Sequence, residues 1–268
     1  VNIPAFEKLL SFQLLNSVDS IIVCGTTGEA STMSDDEKSS IIKCAVDFVD
    51  KKIPIIVGCG SNDTNKAIFN AKMAESLGAD GLLVVTPYYN KCTQSGLIKH
   101  YSKIAESVSI PIILYNVPSR TGINIEPETC FELSKVSNIV AIKEASGNIS
   151  QVAKISALCN DNLFIYSGND DQVIPILSLG GIGVISVLSN IKPLETHNMV
   201  TSFFDGNLSA SKNLQLGLLP LISALFCEVN PIPVKYALNI LGFDFGVPRL
   251  PLSELSSKNK LLLDNLLA

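Results

Sequence analysis

The sequence has 268 residues, of which 47% are hydrophobic and 17% charged, so the chain can bury a large core and is not disordered. Its 20 Lys and Arg against 25 Asp and Glu give a net charge of −5, which argues against a nucleic-acid surface because phosphate binding needs clustered cations. No apolar stretch reaches the ~20 residues that cross a bilayer, and no secretion signal opens the sequence, so we expect a cytoplasmic protein that does not bind membranes.

Seven short apolar runs, rich in β-branched residues, recur along the chain. Each run is apolar throughout rather than alternating, which is typical of strands covered on both faces in a parallel sheet. The runs span residues 20–24, 53–58, 81–86, 110–116, 138–143, 163–167 and 183–187.

Segments with helical periodicity lie between these runs, at residues 35–50, 65–77, 96–107 and 127–136. Ser34 and Glu37 have the spacing of a capping box at the start of the first segment. This alternation predicts an α/β fold. A TIM (β/α)8-type barrel that lacks its first strand fits if one more strand preceded Val1, and an open doubly wound sheet is the alternative.

The pattern changes after about residue 205, where three helical segments follow one another at residues 209–228, 233–241 and 253–267. We therefore predict a (β/α) barrel catalytic domain over residues 1–205 and a helical C-terminal region over residues 206–268. Asn230 opens an Asn-Pro-Ile-Pro connection that is rigid because each proline restricts its own backbone and that of its predecessor.

The seven cysteines and two histidines limit which disulfides and metal sites the chain can form. The cysteines are odd in number and form no C-x-x-C pair, which is typical of reduced thiols in a cytosolic protein. With only His100 and His197 available, we expect no metal site of the usual zinc type. The Gly180–Gly183 stretch precedes a predicted strand, whereas phosphate-binding loops follow one, so it does not indicate a phosphate site.

The polar residues that carry chemistry are expected where strands end, because barrel active sites lie in the loops after the strands. Lys143 follows an apolar strand, and burial there would lower the pKa of its amine, as Schiff-base formation with a ketone requires. Tyr115 ends the neighbouring strand and could transfer the protons of that reaction. The alternatives are a strand-end lysine paired with an acid and a tyrosine that only makes loop hydrogen bonds.

Three more residues with hydroxyl groups and one arginine also lie in the loops that follow predicted strands. Thr26, Thr27 and Tyr89 could extend a proton relay, although each could equally be an ordinary loop hydrogen-bonding residue. Arg120 stands in a turn after Pro118 and offers a bidentate grip on a carboxylate. A surface ion pair is the alternative for Arg120.

Five motifs, in order and with their spacing, resemble the dihydrodipicolinate synthase family of class I pyruvate-dependent aldolases. The resemblance implies condensation of pyruvate with L-aspartate-4-semialdehyde to 4-hydroxy-tetrahydrodipicolinate, in lysine and diaminopimelate biosynthesis, by a homo-oligomer without metal or organic cofactor. The motifs are GTTGE (25–29), PYYNK (87–91), YNVPSRTG (115–122), IKEASG (142–147) and NPIPVK (230–235).

The resemblance also implies a role for each site residue. Lys143 forms the Schiff base with pyruvate, and Tyr115 is the general acid and base. Thr26 completes the proton relay together with Tyr89, which the family borrows from the neighbouring subunit of a dimer or tetramer. The substrate-binding positions are Thr27 and the backbone around Ile185 for the pyruvate carboxylate, Arg120 for the semialdehyde carboxylate, and Gly168 in the pocket wall.

The sequence departs from the family pattern at two places. It begins at Val1 without the family's opening strand, so it is either truncated or a shortened barrel, and a missing strand would expose two sheet edges. Cys92 replaces the usual proline after Asn-Lys, which we expect to loosen the loop that carries Tyr89.

Two other functions fit parts of this pattern. A sister aldolase, such as N-acetylneuraminate lyase or a 2-keto-3-deoxy-sugar-acid aldolase, shares the lysine and the tyrosine, but Arg120 and the paired threonines Thr26 and Thr27 favour the synthase. A non-catalytic truncated relative is the other alternative, and the presence of every motif residue argues against it.

We predict that lysine does not inhibit this protein, because of the residues it has where lysine-inhibited family members bind lysine. They correspond to Asp35, Lys38 and Lys66, so the ammonium of a lysine effector would meet the Lys66 cation rather than a carboxylate. We expect activity to be unchanged when lysine is added to the assay. Inhibition at sub-millimolar lysine would contradict this.

Overall fold

The computed structural model describes all 268 residues, and the chain divides into two compact units. The first unit comprises residues 1–53 and 186–268, and the second comprises residues 54–185. None of the helices combines the length and the apolarity that crossing a membrane requires.

The second unit is built on six strands, and each of the first five is followed by one or two helices. The strands are β2 (Ile55–Gly58), β3 (Gly81–Val85), β4 (Ile112–Asn116), β5 (Ile139–Glu144), β6 (Phe164–Ser167) and β7 (Gly183–Val184). The helices are α3 (Thr64–Ser76), α4 (Gln94–Ala105), α5 (Pro118–Thr121), α6 (Pro127–Leu133), α7 (Ile149–Cys159) and α8 (Val173–Leu177).

These six strands are parallel and hydrogen-bonded in chain order, from β2 to β7. A doubly wound sheet reverses its strand order at a switch point, so this order rules out the open-sheet alternative. Every residue of β4 is buried, as the continuously apolar run predicted. The phenol of Tyr101 on α4 is also buried and donates to the carbonyl oxygen of Val84 at 3.1 Å, which fixes that helix on the sheet.

The first unit contains one short strand and six helices. They are α1 (Ile3–Leu15), β1 (Ile21–Val23), α2 (Asp35–Val49), α9 (Pro193–Phe204), α10 (Leu208–Leu225), α11 (Ile232–Ile240) and α12 (Ser257–Leu267). The predicted capping box at α2 is confirmed, because Ser34 Oγ accepts from the Glu37 N–H and the Glu37 carboxylate accepts from the Ser34 N–H.

The core of the first unit lies between its C-terminal helices. Leu221 and Leu225 of α10, Val234 of α11 and Leu263 of α12 are each at most 6% exposed. From α1, Phe12 packs edge-on against Phe243, with ring centroids 5.4 Å apart. An apolar interior of this size holds the three helices together without a sheet between them.

All seven predicted strands are present, whereas several predicted helix boundaries differ by up to three residues and the start of the last helix by four. The last helix begins at Ser257 rather than at Ser253. The preceding residue, Ser256, is extended and donates both its N–H and its hydroxyl to Glu228, so the chain is held in a non-helical conformation up to that point. The domain boundary near residue 205 stays a prediction.

Candidate active site

Two parallel strands of the second unit bring the predicted lysine and tyrosine side by side. In the register of β4 and β5, Tyr115 lies opposite Lys143 and Asn116 lies opposite Glu144. The register shifts by one residue between Ile112 and Ile113, which amounts to a β-bulge in a parallel pair. Without that shift Tyr115 would face Ile142 instead of Lys143.

The Lys143 amine lies against the aromatic ring of Tyr115, with Nζ 4.4 Å from the ring centroid. Tyr115 is 9% exposed, so the amine has an apolar surface rather than bulk water on that side. Burial lowers the pKa of Lys143 from 10.5 to about 8. About a tenth of this amine is therefore uncharged at pH 7, far more than at the ordinary pKa of 10.5, and the uncharged form is the nucleophile.

Two charged residues act on this amine in opposite directions. Asp170, which is 3% exposed in the 3-10 turn after β6, raises the pKa of Lys143, whereas the Arg120 guanidinium lowers it. Both effects are smaller than that of burial. Arg120 itself is exposed in the short helix α5, where the Pro118 turn leaves its guanidinium facing solvent.

Gly168 stands directly beside the lysine stem. A methyl group in place of its hydrogen would lie 2.5 Å from Ala145 Cβ, which is closer than such atoms approach, and 3.1 Å from Lys143 Cε, which is a tight contact. The Gly168 N–H donates to the carbonyl oxygen of Glu144 at 2.7 Å, so the backbone is held in place. A larger residue at the predicted wall position would thus collide with Ala145 and crowd the lysine stem.

Two other predicted site residues, Ile185 and Tyr89, do not offer a buried group that is free to bind a substrate. The Ile185 N–H donates to the carbonyl oxygen of Ser167 at 2.8 Å, so this group belongs to the sheet and is not open to a ligand. The Tyr89 side chain is 86% exposed, and its backbone has a positive φ of 74°, a conformation uncommon for a non-glycine residue.

The GTTGE loop lies in the first unit, where the C-terminal region holds it. Thr26 is exposed, and the Thr27 hydroxyl accepts a hydrogen bond from the Asn230 amide at 3.0 Å. Glu29, the last residue of the loop, forms an ion pair with Lys235 and accepts from the Arg249 N–H. The NPIPVK motif therefore fixes the conformation of the loop that carries the two threonines.

Sequence reasoning assigned no role to three buried polar residues around the lysine. They are Asp170, Asn116 and Glu144, and each is at most 3% exposed. Asn116 ends a predicted strand and the other two follow one, which was a usable signal, but only the structure shows that Asp170 acts on the amine and that Asn116 pairs with Glu144.

An amine of lowered pKa, seated against a phenol where parallel strands end, is the arrangement of a Schiff-base-forming aldolase. The sequence profile of the dihydrodipicolinate synthetase family matches residues 1–268. The chain belongs to that family.

Individual relatives agree with this assignment. The 4-hydroxy-tetrahydrodipicolinate synthase of Caldicellulosiruptor saccharolyticus is 59% identical over 263 residues, which cover 98% of this chain and 89% of the relative. The crystal structure of dihydrodipicolinate synthase from Thermotoga maritima is 45% identical, with a TM-score of 0.98, and the match covers 100% of this chain and 92% of that one.

A second solved structure, described as a monomeric dihydrodipicolinate synthase variant, is 45% identical, with a TM-score of 0.98 and coverage of 99% of this chain and 90% of that one. The predicted fold class is confirmed: the chain has the TIM (β/α)8-barrel type of fold, with seven strands and a helical C-terminal region.

The charges around the amine predict how imine formation with pyruvate depends on pH. The rate should rise as pH increases through about 8, because the uncharged amine is the nucleophile. Asp170→Asn removes the charge that raises the pKa of Lys143 and should shift the midpoint to lower pH, whereas Arg120→Gln should shift it to higher pH. Trapping the imine with borohydride at a series of pH values measures the midpoint.

Lys103→Gln is the control, since this exposed cation on α4 is paired with Glu106 and should leave the midpoint unchanged. Midpoints that move in the same direction for both site variants would contradict the opposing-charge account.

Proposed function

We propose that this chain is a 4-hydroxy-tetrahydrodipicolinate synthase that condenses pyruvate with L-aspartate-4-semialdehyde in lysine and diaminopimelate biosynthesis. The observation that carries the proposal is the Lys143 amine, 4.4 Å from the Tyr115 ring centroid and with its pKa lowered to about 8. The family to which the chain belongs, and the 59% identity to a relative of that name, support the same activity.

The chemistry begins at the lysine amine. Lys143 Nζ attacks the keto carbon of pyruvate, and loss of one water gives an imine. The imine draws electrons from the adjacent methyl group, which gives up a proton and becomes the enamine carbon nucleophile. This carbon bonds to the aldehyde carbon of the semialdehyde, whose oxygen takes up a proton. The amino group of the semialdehyde then attacks the imine carbon, which closes the ring and releases the lysine amine.

Tyr115 is the group best placed to carry these protons, because its ring contacts the amine and because a positioned phenol can act as general acid and base. The family resemblance adds Thr26 and Tyr89 to the relay and assigns the pyruvate carboxylate to Thr27 and the Ile185 region. Arg120 is then the bidentate partner of the semialdehyde carboxylate. No cofactor is needed, since the imine itself is the electron sink.

The exposed Tyr89 supports a homo-oligomer as the working enzyme, for which we also propose a cytoplasmic location. A tyrosine that is 86% exposed cannot deliver protons to a buried amine unless a protein surface covers it. A dimer or tetramer in which each subunit lends its Tyr89 to a neighbour supplies that surface.

Borohydride reduction in the presence of pyruvate tests the lysine chemistry. Mass spectrometry should find one pyruvate adduct, on Lys143, and none in Lys143→Arg, because the guanidinium is not a nucleophile at this pH. Lys91→Arg is the matched control and should keep the adduct. An adduct on another lysine, or none in the unaltered protein, would contradict the proposal.

A substrate comparison tests the reaction itself. The unaltered protein should consume pyruvate with aspartate-4-semialdehyde and leave N-acetylneuraminate intact. Arg120→Gln should raise KM for the semialdehyde while pyruvate trapping persists at a higher pH midpoint, because the guanidinium binds the second substrate and acts on pyruvate only through the pKa of Lys143. Cleavage of N-acetylneuraminate at a comparable rate would instead identify a sister aldolase.

Complementation tests whether Tyr89 acts across subunits. Tyr89→Phe and Lys143→Ala should each be nearly inactive alone, whereas refolding them together should restore activity. A mixed dimer contains one site with an intact lysine and an intact borrowed tyrosine, so up to a quarter of the sites regain function. No recovery in mixtures shown by mass spectrometry to contain both variants would contradict the shared site.

A further inference from the structure

The residue after the Schiff-base lysine is a buried carboxylate with an unusual set of partners. Glu144 is 1% exposed, and its oxygens accept from Asn116 Nδ2 at 2.9 and 3.2 Å, from the Ser146 N–H at 2.7 Å and from Gln151 Nε2 at 3.0 Å. Every one of these donors is neutral. A buried carboxylate costs much free energy unless it is fully hydrogen-bonded, so this set of donors is what allows it to remain in the sheet.

Asn116 connects this carboxylate to the neighbouring strand and to the loop beyond. Its Nδ2 also donates to Asn124 Oδ1 at 2.8 Å, and its Oδ1 accepts from the Ile125 N–H at 2.9 Å. Asn124 in turn exchanges hydrogen bonds with Gln151 on α7, at 2.7 and 3.1 Å. The network thus joins β4, β5, α7 and the segment that follows the Arg120 turn.

The position of this network relative to the reacting groups is fixed by strand geometry. Asn116 and Glu144 are register partners, and they directly follow Tyr115 and Lys143, which are also register partners. Successive side chains of a strand point to opposite faces, so the amine and the phenol occupy one face and the network the other. The bond to Gln151 places that second face on the side of α7.

We propose that Glu144 and Asn116 form a positioning pair that holds the Lys143 amine against the Tyr115 phenol from behind the sheet. The inference rests on the proposed function. The pair acts through geometry, since the charges that act on Lys143 are those of Asp170 and Arg120. It sets the distance across which the proton moves between phenol and imine, and small displacements of reacting groups cost large factors in rate.

The test compares Glu144→Gln, Asn116→Asp and the double variant that combines them. Glu144→Gln leaves a single acceptor oxygen for the donors Asn116, Ser146 and Gln151, and Asn116→Asp sets two carboxylates against each other. The double variant restores one carboxylate and one amide to the pair. Each single variant should lose about tenfold or more in kcat, with a smaller change in KM for pyruvate. The double variant should recover most of that loss.

Asn138→Ala is the matched control, because Asn138 bridges to the carbonyl oxygens of Ala105 and Val108 at the opposite end of β5. It should lower Tm comparably without lowering kcat. For the double variant, which keeps one carboxylate in the pair, the pH midpoint of imine trapping should stay at the wild-type value, since the net charge of the pair and the charges of Asp170 and Arg120 are unchanged. If either single variant does not fold, Gln151→Met removes one donor from the carboxylate and should lower kcat in the same direction.

Equal kcat for the site variants and Asn138→Ala, at matched loss of Tm, would overturn the proposal, as would a double variant no better than the worse single one. Failure of the proposed function would look different from either of these outcomes, and it is tested on the unaltered protein. If the proposed function were wrong, the unaltered protein would form no pyruvate adduct.

Discussion

The register between β4 and β5 is the constraint on which the candidate site depends. A one-residue shift after Ile112 places Tyr115 opposite Lys143; without it, Tyr115 would lie opposite Ile142. Since a slip of one residue turns every following side chain to the other face of a sheet, the shift decides whether amine and phenol meet at all. Hydrogen bonding between Asn116 and Glu144, one residue further on, fixes the same register from the opposite face.

The environment of the amine combines burial with two opposed charges. Burial dominates and favours the neutral form, while Asp170 and Arg120 act in opposite directions on the pKa of Lys143. Such an arrangement keeps the amine reactive without removing its ability to take up a proton when the product leaves. Gly168 completes it by leaving room for the lysine stem where any side chain would collide.

Much of the fold followed from local pattern. Continuous apolar runs located all seven strands, and capping signals located helices such as α2, because burial on both faces and satisfaction of the first helical N–H groups leave direct marks on sequence. The start of α12 was misplaced because the cap at Ser256 depends on Glu228, which lies in another part of the chain. The hydrogen-bond partners of Glu144 could not be predicted from the sequence either, since hydrogen bonds between distant residues leave no periodic pattern in it.

The sequence by itself determined the class of fold and which side chains stand where strands end, because periodicity and strand-end position are local properties. The family motifs added the expected chemistry. Only the tertiary structure decided that Tyr115 faces Lys143, that Asp170 acts on its amine, and that a buried carboxylate pairs with Asn116 behind it. These depend on register and on through-space distance, which no single segment encodes.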